Sequence, residues 1–349
     1  MNKLILNGTK IGYHLDTLEK WKKGEEVYPI LIEISPTNKC NHGCLFCAYD
    51  YLERKEPRFI DTEILYDNIY QLQNLGTKAL FYSGEGEPLL HKGLPNFVEK
   101  ISYLQLDQAL NTNGSLLKGR CMEQILPHMS WIRVSVNGSS AEEYAHIHRT
   151  HKDEFQKILK NIEQAVVFKQ KNGLGITLGI QMVYAGQDPK QVYKLVEHLR
   201  SIGVNYFALK NYNNHPLSPF QAPEPPIQKL AQIKELATDD FSVVLRINMT
   251  EPSNRKYSFC HGMAFFAEII SNGDVYSCGP HLGNSKFCYG NINDSSLIEL
   301  WSAENRSKVV EHVRNIADLD EECMPNCRLH ALNDFLWNLS NPPQHVNFI

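Results

Sequence analysis

Ser35–Asp50 reads SPTNKCNHGCLFCAYD and places three cysteines within eight residues, spaced Cys40-x3-Cys44-x2-Cys47. The run before it, ILIEIS (30–35), is apolar and β-rich, so the cysteines leave the C-terminal end of a strand. In parallel α/β folds that end is where ligands bind. A zinc ion takes four ligands, commonly from CxxC pairs, and the x3-then-x2 spacing fits it poorly. His42 points elsewhere if the flanking thiolates converge. An iron–sulfur cube held by three thiolates fits better, with its fourth iron open to a ligand that is not protein.

Working outward, strand and helix patterns alternate. Apolar β-rich runs recur at KALFYS (78–83), DQALN (107–111), WIRVSV (131–136), ITLGIQMV (176–183) and VNYFALK (204–210). Helical patterns lie between them at 61–75, 92–104, 116–128, 152–171 and 188–202. The last has a start signal, with Asp188 as N-cap, Pro189 at the first helical position and Gln191 at the third. Six βα repeats with short loops predict a parallel sheet with right-handed crossovers. Periodicity alone leaves a doubly wound sheet and an open barrel both available.

The pattern breaks at NNHPLSPFQAPEPPIQ (213–228), a Pro-rich polar linker. Beyond it FFAEIISNGDVYSC (265–278) predicts a β-hairpin turning at Asn272-Gly273, followed by helices near 295–315 and 328–339. The expected organisation is an extension over 1–28, a core over 29–212, the linker, and a second domain over 229–349 that holds five of the nine cysteines.

Composition narrows the function classes. The chain has 349 residues, 42% hydrophobic and 21% charged, with a formal net charge of −4. That balance argues against a nucleic-acid-binding field. No apolar run reaches the roughly 18 residues that span a bilayer, and the N-terminal stretch lacks a signal-peptide pattern. A cytoplasmic location is expected. There, clustered cysteines point to metal or catalysis rather than to disulfides.

The CxxxCxxC loop after the first strand resembles the signature of the radical S-adenosylmethionine (AdoMet) superfamily. The resemblance implies a partial (β/α)6 barrel whose Cys40, Cys44 and Cys47 hold a [4Fe–4S] cluster, with AdoMet chelating the open iron. Reductive cleavage then yields a 5′-deoxyadenosyl radical that abstracts hydrogen from substrate, fed by an electron donor such as flavodoxin or ferredoxin. Phe46 matches the aromatic that packs near the adenine. SGEGEPLLHK (83–92) is similar to the loop that binds the AdoMet amino group, with Gly86-Glu87-Pro88 matching, Glu85 in place of a glycine and Gly84 keeping backbone freedom. Rossmann and P-loop readings fail there for want of a third glycine and of GK[ST]. The resemblance further implies that Asn113 in NTNG, and Ser135 and Asn137 in VSVNG, face the AdoMet ribose and methionyl groups. Arg149 suits the AdoMet carboxylate, because a guanidinium fork matches a carboxylate; a solvated surface arginine is the alternative. His146 and His148, two residues apart, share no helix face and receive no metal role.

The second cysteine set is Cys260, Cys278, Cys323 and Cys327, with Gly273 turning the hairpin that presents the first pair. It resembles the SPASM and twitch extensions of the same superfamily, which are small α+β domains that carry auxiliary [4Fe–4S] clusters. Five cysteines are too few for two such clusters, which favours the one-cluster twitch form. A structural zinc site with four cysteines remains the alternative. Cys121 reads as a small core residue. Cys288 reads as core, a spare ligand, or a thiol donating hydrogen to a substrate radical.

Gln181 and Tyr184 end the fifth strand, and Lys210, Tyr212 and His215 the sixth; together they suit a hydroxyl-rich or phosphorylated small molecule. The expected function is oxidation of a sugar, cyclitol or nucleoside-type metabolite through the auxiliary cluster. An epimerase using Cys288 and a peptide- or protein-modifying maturase are the alternatives. Only 39 residues precede Cys40, short for a leader-peptide-binding domain, and this favours the small molecule. A non-catalytic metal-binding module is the least favoured class.

Overall fold

Strand order decides the winding. In the computed structural model, which describes residues 8–52, 56–212, 217–247, 255–316, 318–324 and 327–348, the chain forms β1 (Leu31–Ile34), β2 (Ala79–Tyr82), β3 (Asp107–Thr112), β4 (Trp131–Ser135), β5 (Thr177–Tyr184), β6 (Tyr206–Asn211), β7 (Ser242–Arg246), β8 (Phe266–Ile269), β9 (Asp274–Tyr276) and β10 (Cys288–Asn291). They make one sheet in the order β10-β9-β8-β1-β2-β3-β4-β5-β6-β7. From β1 to β7 neighbours are sequential and parallel. A doubly wound sheet reverses its order at a switch point; this one does not. Right-handed crossovers between sequential strands put every helix on one face, which is the winding of a partial barrel.

The helices are α1 (Leu15–Lys22), α2 (Thr62–Leu72), α3 (Leu94–Ser102), α4 (Gly119–Ile125), α5 (Ala141–His148), α6 (Asp153–Lys171), α7 (Pro189–Ile202), α8 (Ile227–Ala231), α9 (Leu297–Ser302), α10 (Glu304–Arg314), α11 (Leu319–Glu322) and α12 (His330–Ser340). Side chains alternate across each strand. Ile32, Ile34, Leu80, Tyr82, Leu110, Ile132, Val134, Ile180, Met182, Phe207 and Leu209 form one buried core with Leu65, Ile69, Phe97, Val98, Ile158, Ile162 and Leu199 of the helices. The other face is the inner face of the partial barrel. It carries Glu33, Phe81, Asn111, Arg133, Ser135, Gln181, Tyr206 and Lys210.

α7 starts as its sequence predicts: the Asp188 carboxylate accepts from the Lys190 N–H at 3.1 Å, and Gly203 closes the helix at φ +92°. Six elements go beyond the sequence reading: α1, α5 between β4 and α6, α8, β10, α11, and β7, which lies past the Pro-rich linker and pairs with β6. The β8–β9 hairpin turns at Gly273, φ +91°. β8 pairs in parallel with β1, so the hairpin extends the same sheet. α12 and α1 share a smaller core through Leu18, Phe266, Leu332 and Leu336.

Candidate active site

The cysteine loop is pinned from three sides. Before it, Asn38 donates to the Glu56 carbonyl at 2.9 Å and accepts from the Arg58 N–H at 2.8 Å. Within it, Asn41 donates to Ser115 Oγ at 2.8 Å and accepts from Asn113 Nδ2 at 2.7 Å. From the third side, the last carbonyls of α5, which have no partner inside the helix, accept from the loop: Gly43 N–H to His148 O at 3.0 Å and Leu45 N–H to Ile147 O at 2.9 Å. α5 thus serves as a seat for the thiols.

The second loop is locked onto the first. Gly84 has φ +110°, and a Cβ there would lie 2.6 Å from Ser35 Cβ. A Cβ on Gly86 would lie 2.2 Å from the Lys39 carbonyl oxygen and 2.6 Å from that of Thr37. Only glycine permits this approach. The Glu87 N–H donates to Lys39 O at 2.9 Å. The Glu87 carboxylate is buried and accepts from Thr112 Oγ1 at 2.6 Å, the Asn113 N–H at 2.7 Å and the Leu89 N–H at 3.1 Å. Burial pushes its pKa up to about 7 against these three donors. The geometry gives Glu87 the work of tying the ends of β2 and β3 together. Glu85, at the position where the family has glycine, accepts from the Ser271 N–H at 2.9 Å and hydroxyl at 2.7 Å. It couples this loop to the β8–β9 hairpin.

His148 is a residue the sequence reading passed over. Its Nε2 accepts from the Asn137 N–H at 3.2 Å, and its Nδ1 lies 3.2 Å from Cys44 Sγ. Burial holds the ring well below its ordinary pKa, so it is neutral. A neutral ring whose Nε2 accepts carries its proton on Nδ1, and that proton points at the Cys44 sulfur. The missed signal was α5 itself: the ring reaches the loop from the last turn of the helix. Asn137 also accepts from the Val183 N–H at 2.8 Å. Arg149 caps α5 in the left-handed region, φ 47°, and its Cβ packs 3.5 Å from the position of a Gly43 Cβ; its side chain is exposed. Phe46 is buried with Ile147, Val183 and Tyr212.

The remaining predicted residues divide by face. Ser135 and Gln181 are in register on the inner face, and Lys210 follows on β6. Tyr184 lies on the opposite face, in the helix-packed core, and does not join them. His215 lies outside the described residues. Alternation could have found two more inner-face groups: Arg133 between buried Ile132 and Val134, and Glu33 between buried Ile32 and Ile34. Glu33 forms a salt bridge with Arg328, the residue after Cys327.

Cys260, Cys278, Cys323 and Cys327 line one apolar pocket with Met263, Phe287 and Leu329. Burial first, then one another's charge, raises their thiols: Cys278 far up, Cys323 to about 12 and Cys327 to about 11. Four partly buried thiolates are stable together only around a cationic group, so the donor set fits a metal cluster. Asn333 donates to Cys260 Sγ at 3.3 Å. Cys288 stands apart at the start of the sheet-edge strand β10, its thiol directed to the Gly290 carbonyl at 3.6 Å.

Three thiols on the loop after β1, a glycine-locked loop after β2, and a second thiol set beyond the barrel define a class of iron–sulfur enzyme. A profile of the Radical SAM superfamily matches residues 34–199, and one of the SPASM iron–sulfur cluster-binding domain matches residues 260–328. The crystal structure of Streptococcus suis SuiB bound to S-adenosylmethionine superposes with a TM-score of 0.67 at 18% identity, over 92% of this chain and 76% of that one. Native anSMEcpe with bound AdoMet gives 0.57 at 16%, over 90% and 100%. Among curated relatives, the uncharacterized protein MJ0907 of Methanocaldococcus jannaschii is 25% identical over 77% of this chain and 91% of its own length. The GTP 3′,8-cyclase of Helicobacter pylori is 25% identical over 67% and 70%. The chain belongs to the radical SAM superfamily and carries a C-terminal SPASM domain. Its cofactors are S-adenosylmethionine, a [4Fe–4S] cluster and auxiliary iron–sulfur. Among the described residues no helix is long and apolar enough to cross a membrane.

Proposed function

We propose that this radical SAM enzyme removes a C–H hydrogen from a small polar metabolite of sugar, cyclitol or nucleoside type, and that the net outcome is two-electron oxidation. The observation that carries the reading is the polar inner face, where Asn111, Arg133, Ser135, Gln181 and Lys210 stand in a sheet whose other face is mainly apolar core. Such a wall recognises a ligand rich in oxygen. Relatives named as GTP 3′,8-cyclases favour a small molecule of nucleotide size.

Cys40, Cys44 and Cys47 hold the first cluster, and Cys260, Cys278, Cys323 and Cys327 the second. When bound, the first cluster with AdoMet supplies hydrogen-atom abstraction, and the second an acceptor for the remaining electron. Loss of one hydrogen atom, one electron and one proton makes the product lighter by two hydrogens. The residues of the chain supply the rest. Asn113, Ser135, Asn137 and Phe46 shape the AdoMet wall, and Gly84 and Gly86 admit the close approach of the two loops. Arg328 links the second thiol set to Glu33 on the inner face. The position of Cys288 at the sheet edge weighs against epimerisation with that thiol as donor.

Anaerobic protein reconstituted with iron and sulfide, then given reductant, AdoMet and a panel of sugars, cyclitols and nucleotides, tests the reading. The expected result is one 5′-deoxyadenosine per product, with the product lighter by two hydrogens. A product of unchanged mass that takes deuterium from solvent makes the reaction an epimerisation. Consumption of a peptide in place of these metabolites overturns the substrate class.

A further inference from the structure

We infer that Arg255 is a positioning residue of the second thiol set: its guanidinium fastens the segment that presents Cys323, and its buried charge makes the cluster held there a better electron acceptor; this deepens the oxidative reading above and rests on it. Arg255 Nη1 donates to the Leu319 carbonyl at 2.7 Å and Nη2 to the Met324 carbonyl at 2.7 Å. The guanidinium also pairs with the Asp320 carboxylate. The Leu319 carbonyl accepts in addition from the Cys323 N–H at 2.9 Å, so guanidinium and cysteine backbone share one acceptor. Met324 follows Cys323 directly. The fork therefore grips the chain on both sides of this cysteine, as a planar guanidinium can and an ammonium cannot. The grip is needed, because α11 has four residues and is too short to hold its own shape. Cys327 is tied in from the same stretch: the His330 N–H donates to the Cys327 carbonyl at 2.9 Å, and the His330 ring Nδ1 lies 3.0 Å from the Tyr257 hydroxyl.

Fastening alone does not call for a charge. The Arg255 side chain is 3% exposed, whereas its carboxylate partner Asp320 is 50% exposed. A buried cation is costly unless negative groups meet it inside the protein. Burial works against the guanidinium's charge, and Tyr257, Asp320 and Cys323 outweigh it. At Cys260, Cys323 and Cys327 burial raises the thiol, and Arg255 acts the other way by favouring the thiolate. A cube ligated by four thiolates is anionic, and its reduction adds a further negative charge. Net charge is one of the levers on a cluster's potential. A fixed cation beside the thiolates favours the reduced form by Coulomb attraction, and an arginine cannot escape that role by losing its proton.

Redox titration of the second cluster's paramagnetic signal, in reconstituted enzyme without substrate, tests the charge apart from the grip. That signal is told from the first cluster's by its insensitivity to AdoMet. Arg255→Gln keeps an amide donor and loses the charge; Arg255→Lys keeps the charge and loses the fork. Arg255→Gln should disfavour reduction by about tenfold or more in the equilibrium constant, read as a more negative midpoint. Arg255→Lys should stay near the wild-type midpoint. Both should release the iron of the second set to a chelator faster than the wild type, with AdoMet cleavage retained. Asp320→Asn covers the case in which Arg255→Gln does not load: it removes the counter-charge, leaves Arg255 in place and should move the midpoint the other way. An unmoved midpoint in loaded Arg255→Gln, equal shifts in the Gln and Lys variants, or, where Arg255→Gln does not load, an unmoved midpoint in Asp320→Asn reduces Arg255 to packing and overturns the inference. A wild-type second set without iron overturns it outright. If the midpoints move as expected but no metabolite is oxidised, the functional reading fails and the role of Arg255 stands. If a metabolite is oxidised and the midpoints do not move, the role of Arg255 fails and the functional reading stands.

Discussion

His148 sets a ring nitrogen 3.2 Å from the sulfur of Cys44. Its proton is directed at Cys44 only because the Asn137 N–H occupies the other ring nitrogen. Hydrogen bonds to cluster sulfurs favour the reduced state and raise the potential. His148→Phe keeps the ring volume beside Tyr144, on which His148 stacks at 4.0 Å, but removes both bonds. Its unpaired Asn137 N–H costs about 1–3 kcal/mol. The expected outcome is full iron content with a more negative midpoint for the first cluster, read by redox titration of its paramagnetic signal. His148→Gln, which restores a donor, should recover part of the shift. An unmoved midpoint in His148→Phe would reduce the residue to packing. Sequence could not single it out. The reading of His146 and His148 as lacking a shared helix face was sound, yet it concerned a metal role, whereas the structural role of His148 depends on where α5 ends.

Elements were legible where they repeat and obscure where they do not. The six strands that carry an apolar alternation, and five helices between them, follow from periodicity, because each buries one face against the other layer. α5 is eight residues long and weakly amphipathic, and it follows a polar turn, so its pattern was lost between β4 and α6. β7 lies past the Pro-rich linker, and what makes it part of the barrel is pairing with β6, which no local signal encodes. The thiol-bearing loop was legible in full, since its spacing is chemical. Its fit against the glycine loop was legible only in part. Glycine at 86 read as a family match; the physical reason is two backbone carbonyls within 2.6 Å of any Cβ. Backbone does not yield as a flexible side chain does. Gly86→Ala should therefore push the Thr37–Lys39 segment away and open the first thiol loop. The expected protein keeps the iron of the second thiol set, loses that of the first and no longer cleaves AdoMet. Iron analysis with 5′-deoxyadenosine assay decides it. Wild-type iron and cleavage in Gly86→Ala would mean that the two loops accommodate the methyl without loss.

At the scale of the whole molecule, the barrel and the second thiol set share one sheet. β8 pairs with β1, Glu85 reaches the hairpin at Ser271, and Arg328 crosses to Glu33 while lying against Phe81 and Phe266. Removing Arg328 would strand the buried Glu33 carboxylate, at about 3–5 kcal/mol, whereas the Arg328 guanidinium itself is exposed and stays hydrated. The two thiol sets are thus held by separate loops but by one scaffold, and they should load independently. Two cubes have eight iron corners. Three thiolates in the first leave one corner for AdoMet, and four in the second leave none. The seven cysteines Cys40, Cys44, Cys47, Cys260, Cys278, Cys323 and Cys327 meet that requirement. Anaerobically reconstituted protein should carry about eight iron atoms. Replacing Cys40, Cys44 and Cys47 together with alanine should leave about four and abolish AdoMet cleavage, with the second cluster's absorption and the cooperative unfolding of the chain retained. Zinc in place of half the metal of the wild type would show that the second set is a structural site. The electron acceptor on which oxidation depends would then be missing, and the proposed reaction would fail with it.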